Sequence, residues 1–93
     1  MQKEVATNDI HEAAYYILSG NELSSIEARS VNGRIICSFS LTGENITSHQ
    51  ICYLHGEATA NILALRRMVS QLQAWSYAAK KKYQSQAKNG GAV

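Results

Sequence analysis

Apolar positions recur along this chain in several distinct rhythms, and each rhythm predicts a different element. Ile10, Ala13, Ala14, Ile17 and Leu18 fall at i, i+3, i+4, i+7 and i+8, the spacing that lines one face of a helix. Thr7, Asn8 or Asp9 can cap its first turn and Gly20 can end it in a left-handed conformation, giving an expected extent of Asn8 to Ser19. The rhythm then shortens. Asn32-Gly33 is the dipeptide favoured for a type I′ turn, and it separates two strand-like runs, predicting a β-hairpin. A two-residue loop sets Val31 opposite Arg34, hence Ala28 opposite Cys37, Ile26 opposite Phe39, Ser24 opposite Leu41 and Ser30 opposite Ile35 on one buried face. Glu27, Arg29, Arg34, Ile36, Ser38 and Ser40 then occupy the other face, where only Ile36 is out of place for a solvated surface.

Beyond a turn at Thr42-Gly43-Glu44, an untidy apolar pattern (Ile46, Ile51, Cys52, Leu54) predicts a short helix over Asn45 to His55, stopped by Gly56. Glu57 to Ala60 reads as a linker, with Thr59 or Asn61 capping a last helix over about Asn61 to Gln84, roughly 35 Å long. Leu65, Met68, Leu72, Trp75 and Ala79 alternate at three and four along it, with Ile62, Val69 and Ser76 beside them. Arg66, Arg67, Ser70, Gln73, Tyr77, Lys80, Lys81 and Gln84 gather on the opposite side.

The pattern adds up to one α+β domain over residues 1–84, in the order helix, two-stranded antiparallel hairpin, short helix, long C-terminal helix. Residues 85–93 are expected to form a disordered tail, since Ser85 to Val93 lacks apolar periodicity. The first and last helices should pack on the face of Ile26, Ala28, Ile35, Cys37 and Phe39. Ninety-three residues at 45% hydrophobic content suit one modest core and leave no room for a second, catalytic domain.

The distribution of charge along the chain is more telling than its composition. Met1 to Glu57 carries seven acidic and three basic residues, whereas Ala58 to Val93 carries six basic residues (Arg66, Arg67, Lys80, Lys81, Lys82, Lys88) and no acidic one. A helix with no Asp or Glu cannot form internal i, i+4 ion pairs. Cations at a helix C-terminus are favoured by the macrodipole whatever the function, so Lys80 to Lys82 alone say little. Arg66 and Arg67, near the positive N-terminal end, gain nothing that way and are the more diagnostic pair. An apolar leader segment and a bilayer-length apolar run are both lacking, so a cytoplasmic protein with reduced Cys37 and Cys52 is expected.

Several local strings resemble a known group. Thr7-Asn8-Asp9-Ile10 running into Ala13-Ala14-Tyr15 and closing at Gly20, a hairpin ending in Phe39, then Tyr53-Leu54-His55-Gly56-Glu57-Ala58 before a final helix resemble a family of small uncharacterised domains from bacteria and their phages. The similarity covers approximately Thr7 to Ala79. It implies a helix, a hairpin and two helices in a phage or mobile-element setting, and brings no activity and no catalytic residues. The extended final helix with Lys80-Lys81-Lys82 departs from the family pattern.

Candidate chemistry is sparse. His49, Cys52 and His55 at i, i+3 and i+6, with Cys37, make a set of the type zinc accepts. Three-residue steps drift around a helix, however, leaving His49 and His55 about 120° apart, so no metal is assigned. No Gly-x-Ser-x-Gly elbow and no Gly-rich phosphate loop is present, and Asp9 with Glu12 in a first turn reads as dipole compensation. Asn45-Ile46-Thr47 fits a glycosylation sequon, which carries no weight without a secretion signal.

These observations point to a non-catalytic protein-interaction module without a cofactor. Its expected partners are a second copy of itself and a host or phage protein, and its expected contact residues are Arg66, Arg67, Gln73, Trp75, Tyr77, Lys80, Lys81 and Lys82. The alternative is weak nucleic-acid binding along the basic stripe, with Tyr77 positioned to stack a base. Dimerisation has its own motive: a lone hairpin leaves two open edges, and Trp75, Ala78, Ala79 and Tyr83 lie beyond a core built on a short first helix.

Overall fold

The computed structural model describes the backbone of residues 3–91 and the side chains of residues 3–85. Its elements are β1 (Lys3–Thr7), α1 (Ile10–Leu18), β2 (Glu22–Val31), β3 (Arg34–Gly43), α2 (Ile46–Leu54) and α3 (Ile62–Gly91). The class is α+β as expected, but the sheet has three antiparallel strands in the order β1-β3-β2 rather than the two of a bare hairpin. The extra strand is β1, which pairs Lys3 with Gly43 through Thr7 with Phe39. Its sequence, Lys-Glu-Val-Ala-Thr, offers a single large apolar residue, Val5, which packs against the core opposite Leu41. β1 is a strand because β3 supplies the other half of its ladder, not because of its own pattern.

The hairpin turn adopts positive φ at Asn32 (51°) and Gly33 (80°), the type I′ geometry that Asn-Gly favours. The register agrees with expectation from Val31↔Arg34 through Ile26↔Phe39 and then shifts: Leu23, not Ser24, opposes Leu41. A β-bulge between Leu23 and Ser25 absorbs the extra residue, turns apolar Leu23 toward the core and lets the Ser24 hydroxyl donate to the Ser40 carbonyl at 3.0 Å.

Asp9 caps α1 by accepting from the backbone N–H groups of His11 (2.9 Å) and Glu12 (3.4 Å), and Asn61 caps α3 by accepting from Ala64 N–H at 3.0 Å. α1 and α3 cover the sheet face that carries Ile26, Ala28, Cys37, Phe39 and Leu41, with the small Ala13 and Ala14 allowing close approach. Ile46 of α2 and Leu72 of α3 are fully buried in the same cluster.

α3 corrects three expectations. Along a straight helix the buried line drifts relative to a strict seven-residue repeat, so Ser76, not Trp75, takes the buried position after Leu72, and Trp75 is left 42% exposed. Ala79 packs on the core and Tyr83 is half-buried beside Ile26 and Ala28, because β2 is long enough to reach under them. The helix also passes the expected stop at Gln84 and runs through the backbone of the expected tail to Gly91. No proline interrupts it, and Gln86, Ala87 and Lys88 are all good helix formers. Ala92 and Val93 lie outside the described residues.

Candidate interaction surfaces

Because α3 advances 100° per residue, its buried line at Leu65, Leu72, Ser76 and Ala79 leaves two flanks and an outward ridge. The expected contact residues divide among them. Arg66, Gln73, Tyr77, Lys80 and Lys81 share one stripe and are all exposed. Arg67 is turned about 100° from Arg66, and Trp75 and Lys82 lie on the far flank beside Ala79.

On the first flank α3 and the sheet part to leave an open groove of about 430 Å³. Its floor is Ile35, Cys37 and Phe39 of β3, its end is Asn8 and Ile10 where β1 turns into α1, and its α3 wall is Gln73, Ser76, Tyr77 and Lys80. The groove exists because β1 pairs only with Phe39 to Gly43, leaving the N-terminal half of β3 without a neighbouring strand on that side among the described residues. Val31 and Arg34 close a two-residue turn as a mutually hydrogen-bonded pair, so the N–H and C=O groups of Ile35 and Cys37 point away from β2, into the groove. A bare hairpin would leave the whole outer edge of β3 open; β1 covers its C-terminal half, and only the part before Phe39 stays open among the described residues.

The second flank holds a smaller groove, of about 320 Å³, between Ala79, Lys82 and Tyr83 of α3 and Ile26, Glu27 and Ala28 of β2. A third hollow brings Arg66 beside His11, Leu65, Val69 and Ser70. The only acid–base pair within 4 Å among the described residues is His11 with Asp9 at 3.8 Å. Arg66, Arg67, Lys80, Lys81 and Lys82 therefore form no ion pair within 4 Å with a described acidic side chain, although Lys82 shares the second groove with Glu27.

The remaining polar side chains form a brace. Thr7 donates to one Glu12 oxygen at 3.0 Å, Tyr16 donates to the other, and Tyr53 of α2 donates to Asp9 at 2.9 Å. Burial and the Asp9 carboxylate push the Tyr53 hydroxyl up to about 12, and burial with the Glu12 carboxylate raises Tyr16 further. Burial pulls Asp9 upward, but the hydrogen bonds from Tyr53, His11 and Glu12 outweigh it and leave the carboxyl below its ordinary value. Tyr15, whose ring centroid is 5.8 Å from those of both Tyr16 and Tyr53, fills the space between α1 and α2.

The cysteine and histidine set is dispersed. Cys37 is buried with its thiol donating to the Ser76 carbonyl at 3.6 Å, His49 Nδ1 faces the Asn21 amide at 2.9 Å, and His55 is the exposed C-cap of α2. No cluster of three ligand-type side chains occurs among the described residues. No described helix is long and apolar enough to cross a membrane.

No family model matches this chain, and no curated protein and no solved structure shows significant similarity to it.

Proposed function

We propose that this protein is a non-catalytic interaction module that takes up an extended segment of a partner protein in the groove between α3 and β3. The observation that carries this is the unpaired edge of β3: an added strand gains main-chain hydrogen bonds from Ile35 and Cys37 while its alternate side chains rest on Ile10 and Phe39. Lys80, exposed at the rim and without an acidic side chain within 4 Å among the described residues, fits an Asp or Glu on that segment, and Tyr77 supplies an aromatic wall. The resemblance to small domains of bacteria and phages makes a host protein the kind of target such a groove would serve. The brace among Asp9, Glu12, Tyr16 and Tyr53 reads as structural, since each hydroxyl and carboxylate in it already has a partner inside the fold.

Selection of short random peptides displayed on phage tests the reading. The enriched peptides should alternate apolar residues around an acidic one, shift the Ile35 and Cys37 amide resonances, and bind at least about tenfold more weakly to Lys80→Glu. Enriched peptides that leave both amides unmoved would place recognition elsewhere. The unpaired basic residues of α3 favour a second reading, weak binding of a single-stranded nucleic acid along Arg66, Tyr77, Lys80 and Lys81.

A further inference from the structure

We infer that the outer edge of β2 is the contact between two copies of this protein, joined antiparallel about Ala28 into a continuous six-stranded sheet. β2 is the terminal strand of the sheet, and among the described residues nothing pairs with its outer side. Between the bulge at Leu23/Ser25 and the turn at Asn32, the regular run is Ser25 to Val31, whose midpoint is Ala28. Val31, Arg29 and Glu27 direct their main-chain groups to β3, so Ile26, Ala28 and Ser30 direct theirs outward. A two-fold axis at Ala28 then matches Ile26 with Ser30 of the other copy and Ala28 with Ala28, closing about six hydrogen bonds.

The same register decides the charges. Glu27 falls directly opposite Arg29 of the second copy, and Arg29 opposite its Glu27, both on the solvent face of the sheet, where no cation or carboxylate of the same chain pairs with them within 4 Å among the described residues. Alternating charges on an edge strand ordinarily discourage pairing. Here they discourage a two-fold axis at Glu27 or at Arg29, either of which sets like charges opposite each other, and satisfy the axis at Ala28. On the helix side, Trp75 lies within about 40° of Ala79 and Lys82 around α3, on the flank that overhangs β2. Its exposed ring and the groove over Ile26 and Ala28 would meet their counterparts across the axis, above a pair of alanines small enough to admit them. This surface lies on the opposite flank of α3 from the peptide groove, so either can fail without the other.

Charge reversal tests the inference in a way that a general loss of stability cannot imitate. Wild-type protein should sediment as a dimer that dissociates on dilution. Glu27→Arg alone and Arg29→Glu alone should each weaken the dimer about tenfold or more, because like charges then face each other twice across the axis. An equimolar mixture of the two variants should recover it, as should the double variant E27R/R29E. Both positions are exposed, and circular dichroism checks that each variant keeps its fold. A wild-type monomer at all concentrations, or single variants that dimerise as tightly as wild type, would overturn the proposal.

Discussion

Gly43 is held to glycine by a neighbour, not by its backbone. A Cβ at this buried end of β3 would stand 2.0 Å from Asn21 Oδ1 and 2.9 Å from Asn21 Cγ. Asn21 cannot swing aside cheaply. Its amide donates to the Tyr16 carbonyl at 2.8 Å and faces His49 Nδ1 at 2.9 Å, joining the end of α1 to α2. Gly43→Ala should therefore cost about 1–3 kcal/mol, the usual range for overpacking. Urea denaturation of Gly43→Ala, Asn21→Ala and the double variant measures it. The double variant should lose less than the two single losses combined, because the clash disappears with the Asn21 side chain. Strict additivity would mean that β3 bends away from Asn21 instead.

At the scale of elements, the brace from the end of β1 through α1 to α2 makes stability fall at high pH. Tyr16 and Tyr53 have raised values in the fold, so the folded state favours the protonated phenols. Their contribution is complete below the ordinary value of 10 and is lost as pH rises from there through about 12, where Tyr53 ionises. Asp9 acts in the opposite sense: its value is lowered, so its contribution is present above the ordinary carboxylate value of 3.8 and disappears as pH falls through the folded one. Ultraviolet titration of the phenolates should show Tyr53 ionising near 12, and Tyr53→Phe should remove that step and flatten the alkaline decline in melting temperature. Ionisation of all five tyrosines near 10 would contradict the brace. The contrast between α1 and β1 shows what the chain made legible. Periodicity, the cap at Asp9 and the Asn-Gly turn are local signals, and α1, α2 and most of the hairpin register followed from them. β1, with one large apolar residue in five, is defined by its partner strand, and the bulge at Leu23 by which side chain best fills the space opposite Leu41. That the hairpin has open edges followed from the pattern, as did Gln73, Tyr77, Lys80 and Lys82 beside them; how far each edge stays open did not, because β1 limits the one on β3 and the bulge limits the regular run of β2.

For the whole molecule, the segregation of charge is a segregation in space, but not onto one face. The acidic half builds the sheet and the first two helices, while the basic half is a single rod along a body measuring 49 × 31 × 22 Å. Around that rod the cations split. Arg66, Lys80 and Lys81 share the stripe beside the β3 groove, whereas Arg67 points off it and Lys82 lies over β2. A single strand of nucleic acid laid along the stripe spans about 20 Å from Arg66 to Lys80 and can neutralise about three phosphates. Log K against log salt should then have a slope of about −2, not the slope near −4 expected if five cations acted together. Fluorescence anisotropy with a labelled oligothymidine at several salt concentrations gives the number directly. Lys80→Ala should flatten the slope and Lys82→Ala should leave it unchanged. A slope near −4 that also depends on Lys82 would mean that a strand wraps both flanks of α3, covering the β3 groove and the β2 edge together, and the proposed protein docking would then yield to nucleic-acid binding.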